Sequence, residues 1–220
     1  MRTLFAPRAE NAYSRAERLS DAGIHVAGLV AVAVGVPALV MLAVVLRGDL
    51  PAVLGAAVYG ATLFAMILCS ALYHMVPRPG WKGVLRRLDH SAIYWKIAGT
   101  YTPFTVLSGQ GAGLLAALWG AAAFGTALRV FAAGRYRWLA LSLYLAMGWA
   151  GLVAGWPMLG TLSGPVLALI VTGGVLYTVG VVFFLLESLP FHNTIWHGFV
   201  LAASLLFFAA VNLHLVETAT

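Results

Sequence analysis

Seven predominantly apolar runs divide the chain, at 24–46, 53–73, 88–107, 114–131, 138–156, 166–186 and 195–216. Each is close to the length of about 20 residues that a helix needs to cross the hydrocarbon of a bilayer. The connections between them are short and rich in Gly, Pro and Ser. This pattern predicts an all-α fold, a seven-helix transmembrane bundle over residues 23–220. A cytosolic arm over residues 1–22 precedes it, ending in a short amphipathic helix. Polar residues interrupt the first run at His25, and Asp89, His90 and Lys96 interrupt the third. In the third run, Gly99 and Pro103 predict a bend that opens room between helices.

Composition removes the alternative of a water-soluble domain. Hydrophobic residues make up 62% of the chain and charged residues 9%, whereas a soluble surface needs about a quarter of all residues charged. Spans of this kind have no core until they pack on one another, so a single bundle with no second domain is expected. The formal charge of +6 does not point to nucleic acid, because the basic residues are scattered between apolar runs and form no recognition motif. Topology accounts for them. Arg2, Arg8, Arg15, Arg18, Arg78, Lys82, Arg86, Arg87, Arg129, Arg135 and Arg137 fall on one side of the threaded chain, with only Arg47 on the other. That side is cytosolic, which places the N-terminus in the cytosol and the C-terminus outside. The first twenty residues mix acidic and basic groups without an apolar core, unlike a secretory signal. Cys69 is the only cysteine, so no intramolecular disulfide forms.

Threading brings His74, His192, His197 and Asp89 to one depth at the cytosolic edge. Imidazoles and a carboxylate there are costly to desolvate, and a shared divalent cation accounts for all of them, zinc being the first candidate. Ser70 and His74 are four residues apart and share a helix face. The hydroxyl can therefore support a metal-binding imidazole, or it can simply bond its own helix carbonyl beside an interfacial histidine. Asp89 suits a helix N-terminus for reasons of dipole and capping, and suits equally a general base taking a proton from a metal-activated water. His192 and His197 are five residues apart, too far around a regular helix to share an ion unless His192 precedes the first turn, with Asn193 as N-cap, or a π-bulge intervenes. Asn193, four before His197, is the rival ligand, although an amide oxygen suits zinc poorly. His25 and His90 read as packing or hydrogen-bonding residues. Lys96 must be paired, line a wet cavity or snorkel, with Asp89 its partner through water. Glu187 reads as a solvated boundary acid or a support for the site.

Three blocks carry a resemblance that covers almost the whole chain: CSALYH around Ser70 and His74, LDHSAIYWKIAGTYTPF from Leu88, and IWHGFVLAAS around His197. In them the chain resembles the hemolysin III family, the bacterial branch of the progestin and adipoQ receptor group, within a wider set of alkaline-ceramidase-like membrane hydrolases. The resemblance implies seven helices and a zinc ion held near the cytosolic face by one histidine of span two and two of span seven. It implies an aspartate of span three on the zinc-bound water and an accompanying serine of span two. His74, His197, Asp89 and Ser70 match those positions. The remaining histidine falls on Asn193, with His192 displaced by one, and His192 is assigned as the third ligand with Asn193 as the alternative. The implied activity is zinc-dependent hydrolysis of a lipid amide or ester, Asp89 serving as base and Ser70 stabilising the oxyanion, with a membrane lipid as substrate. Other readings are a non-enzymatic sensor or regulator clamped by structural zinc, a lytic protein, or a transporter using Asp89, Lys96 and Glu187 as a proton path.

Overall fold

The computed structural model describes residues 13–132 and 135–219. Among these residues there is no strand, and eight helices follow one another: α1 (Arg15–Leu46), α2 (Leu50–Met75), α3 (Pro79–Ser108), α4 (Ala112–Phe131), α5 (Arg137–Ala154), α6 (Trp156–Leu159), α7 (Gly164–Leu185) and α8 (His192–Glu217). Local chemistry marks their ends. Ser14 and Glu17 form a reciprocal capping box at the start of α1, and Asp49 and Ser163 cap α2 and α7 through their side chains. The Asp49 carboxyl is held below its usual range by the Ala52 N–H and by Arg47. Gly155 and Pro157 end the fifth apolar run early, splitting off the short α6.

Six helices, all the long ones except α3, are long and apolar enough to cross a membrane. In α3 the basic residues Lys82, Arg86 and Arg87, with Asp89 and Lys96, dilute the apolar pattern. This least apolar of the long helices is also the most enclosed. It packs on α2, α4, α5, α6 and α8 and buries Asp89, Lys96, Thr100, Thr102 and Thr105. Polar groups that lipid would reject are thereby given protein neighbours. The tightest seam is with α2, where a Cβ added at Gly99 would collide with the Thr62 side chain and one at Gly55 would lie 3.0 Å from Pro103 Cα. α3 thus runs through Gly99 and Pro103 as one helix, and both positions seat α2.

Two boundaries differ from the sequence expectation. α3 begins at Pro79, so Arg86 and Arg87 lie on its first turns rather than in a loop. The predicted amphipathic arm helix has no separate existence from Arg15 onward, because α1 starts there and continues to Leu46. Residues 1–12 of the arm lie outside the described residues.

Candidate metal centre and its cavity

The first turns of α1 and α8, the last turn of α2 and the third turn of α3 meet at one end of the bundle, and Asp21 of α1 is the hub. The His197 Nδ1–H donates to Asp21 Oδ1 at 2.6 Å, and His74 Nδ1 lies 3.3 Å from Asp21 Oδ2. One turn further along α1, the His25 Nδ1–H donates to the Asp21 backbone carbonyl at 2.8 Å. Carbonyl and carboxylate oxygens only accept, so His25 and His197 carry their hydrogen on Nδ1 and keep a lone pair on Nε2, while His74 faces the Asp21 carboxylate at ion-pair distance. The rings are mutually close. Centroids are 4.4 Å apart for His25 and His197, 4.5 Å for His74 and His197, and 5.3 Å for His25 and His74.

This donor set fits a zinc-type cation. Asp21, His25 and His197 each offer a ligand-capable atom within 4.8 Å of the others, and all three are buried. Imidazole nitrogen and carboxylate oxygen are ordinary zinc donors, and a carboxylate bound to the far nitrogen of a histidine is the usual support of a metal ligand.

Ser70, one turn before His74, brings its hydroxyl to 3.2 Å from His25 Nε2. Asp89 is buried beside Ser70 and His74. The structure therefore gathers Ser70, His74, Asp89 and His197 around Asp21 and His25, two residues that the sequence did not put forward as ligands. His192 is placed differently. It is the first residue of α8, with Phe191 rather than Asn193 at the N-cap in a left-handed conformation (φ 59°). Its Nε2 shares a hydrogen bond of 2.8 Å with the Tyr13 hydroxyl. Asn193 lines the same cavity.

The start of α1 is stitched to the start of α8 beside the site. The Phe191 N–H donates to Glu17 Oε1 at 3.0 Å, and Ser20 and Thr194 share a hydroxyl bond of 2.8 Å. Beneath the cluster, between the helices, opens a cavity of about 990 Å³ whose wall includes Ser70, His74, Asp89, His197 and, deeper, Lys96. Lys96 lies against the rings of Tyr177 and Phe207, and Glu187 is paired with Arg137 at 2.6 Å.

A helical bundle of this length and apolarity, with a buried carboxylate–histidine centre at one end, is a polytopic membrane protein. The family model described as Haemolysin-III related matches residues 16–208, and the chain belongs to that family. It is similar to Hemolysin-3 of Bacillus cereus, 37% identical over 209 residues (93% of this chain and 94% of the relative). It is also similar to the Hemolysin-3 homolog of Bacillus subtilis, 36% identical over 206 residues (91% and 95%). A more distant likeness is to the monocyte to macrophage differentiation factor of Homo sapiens, 32% identical over 177 residues (74% and 71%). The protein is a multi-pass membrane protein, in bacteria one of the cell membrane.

Proposed function

We propose that the protein is a zinc-dependent hydrolase of lipid amide or ester bonds, built as seven crossings with the N-terminus cytosolic and the C-terminus outside. The carrying observation is the Asp21 hub, which gathers His25, His74 and His197 on one carboxylate and its backbone carbonyl, so that a cation would be taken through Nε2 with the Ser70 hydroxyl giving way at His25. Three imidazoles leave the fourth tetrahedral position open, the arrangement of a catalytic rather than a structural site. In this reading His25 takes the place that the sequence gave to His192, because the His25 ring lies against the rings of both His74 and His197 at the Asp21 hub, whereas His192 pairs with Tyr13. When bound, zinc supplies Lewis acidity, polarising a carbonyl and lowering the pKa of water to about 7.

The chain's own residues do the remaining work. Asp89 takes the proton of the attacking water, its burial keeping bulk solvent from competing. The Ser70 O–H, which points to His25 Nε2 at 3.2 Å in this structure, turns to the oxyanion that develops on the substrate. The cavity admits an acyl chain from the cytosolic leaflet, so the partner is a membrane lipid.

Metal analysis of purified variants tests the ligand set. His25→Ala, His74→Ala and His197→Ala lose bound zinc, whereas His192→Ala and Asn193→Ala keep it; zinc lost in His192→Ala and kept in His25→Ala returns the third place to His192. Asp89→Ala keeps zinc and loses hydrolysis of fluorogenic lipid amides and esters. Zinc-loaded wild type that cleaves neither class, and unfolds on chelation, is a structural clamp and ends the hydrolase reading.

A further inference from the structure

Lys96 is 3% exposed, yet it lies on the wall of the cavity beneath the metal centre. Its Nζ is 4.4 Å from the centroid of the Tyr177 ring and 4.7 Å from that of Phe207. The Tyr177 hydroxyl is turned to Ser204 at 2.6 Å, so the ammonium meets ring faces rather than an oxygen acceptor.

None of the described acids is its counterion, because each is committed or placed elsewhere. Glu17 takes the N–H groups of Ser14 and Phe191. Asp21 takes the histidines, Asp49 is bonded to Arg47, Glu187 to Arg137 and Glu217 to Ser163. Asp89 lies seven residues earlier on the same helix, about 10 Å away along its axis, beside Ser70 and His74. A cation buried in a bundle without a counterion is costly, and aromatic faces compensate only part of that cost. An anion entering through the cavity would supply the partner that the described acids do not. Ile93 and Ile97, on the same stretch of α3, line that cavity with apolar surface, so the anion must bring hydrocarbon with it.

We propose that Lys96 is an anion subsite, its ammonium holding the charged head of a single-chain anionic amphiphile whose hydrocarbon fills the apolar part of the cavity. The subsite goes beyond the hydrolase reading and needs neither metal nor turnover. Lipid carboxylates and lipid phosphates share the required chemistry.

The test is fluorescence binding of cis-parinarate and of its uncharged methyl ester to the full-length protein in a neutral maltoside detergent, with and without chelator. Wild type binds the carboxylate about tenfold or more tightly than the ester, and chelator leaves that preference in place. Lys96→Met binds the two alike, at the strength of the ester, and Lys96→Arg restores the preference. Oleate or oleyl phosphate displaces the bound parinarate and identifies the head group, while oleyl alcohol does not. Equal binding of carboxylate and ester by wild type overturns the proposal without recourse to any variant. So does a preference that survives in Lys96→Met or disappears with chelator, which would put the anion on the metal centre. Displacement by neither oleate nor oleyl phosphate likewise overturns it.

Discussion

Asp21 does three jobs at once: its carboxylate oxygens face His74 and His197, and its backbone carbonyl fixes His25. Replacing one of those oxygens by an amide nitrogen leaves helix α1 intact but sets a donor against a ring N–H that is itself a donor. Asp21→Asn is therefore expected to weaken zinc binding by about 10- to 100-fold, the usual cost of losing a carboxylate behind a ligating histidine, measured by competition with a fluorescent chelator. Complete loss of zinc at saturating metal would instead make Asp21 a direct ligand. Acid acts in the same direction on the wild type. Imidazoles must be neutral to bind metal, so affinity measured across a pH series falls once the solution is acid enough to protonate them. Ser70, His74, Asp89 and His197 were legible in the sequence because polar residues in or at the edge of apolar runs demand an explanation. Asp21 escaped notice because it precedes its run, in a stretch where an acid looks merely solvated. The spacing of Asp21 and His25, one helical turn apart at the start of an apolar run, was the signal available.

At the scale of elements, apolar periodicity located all seven long helices, since length and hydrophobicity are what it reports. It could not locate where α3 begins, because the basic turns from Pro79 carry no apolar signature, and it could not register that Gly155 and Pro157 cut the fifth run short. Nor could it show that Gly99, read there as a bend, lies against the Thr62 side chain of a neighbouring helix. That seam between α2 and α3 gives the test. Gly99→Val forces a branched side chain onto Thr62, and overpacking of this kind costs about 1–3 kcal/mol. It should lower the thermal midpoint in detergent, and Thr62→Ala in the same background should recover part of the loss, because the two positions share one contact. A Gly99→Val protein as stable as wild type would show that the seam has slack.

For the whole molecule the open step is whether α3 crosses, because on that depends which leaflet feeds the cavity. Taken alone, α3 is too polar to be counted with the six apolar helices. Surrounded by five other helices, it buries Asp89, Thr100, Thr102, Thr105 and Lys96 among protein and cavity, which is how a polar helix is tolerated at membrane depth. With α3 crossing, the basic residues from Arg78 to Arg87 and from Arg129 to Arg137 would lie on the opposite side of the membrane from Arg47 and would draw their side to the cytosol. Gly80 on the first turn of α3 and Gln110 just past its end are both exposed, and a side chain at Gly80 meets nothing within 4 Å. In a Cys69→Ala background, a membrane-impermeant maleimide added to intact cells should label Gln110→Cys and spare Gly80→Cys, with both labelled after permeabilisation. The opposite pattern would invert the bundle and turn the metal centre outward. Equal labelling of the two in intact cells would leave α3 uncrossed, with six spans, and the His74 end of α2 would no longer share a membrane face with both Asp21 and His197.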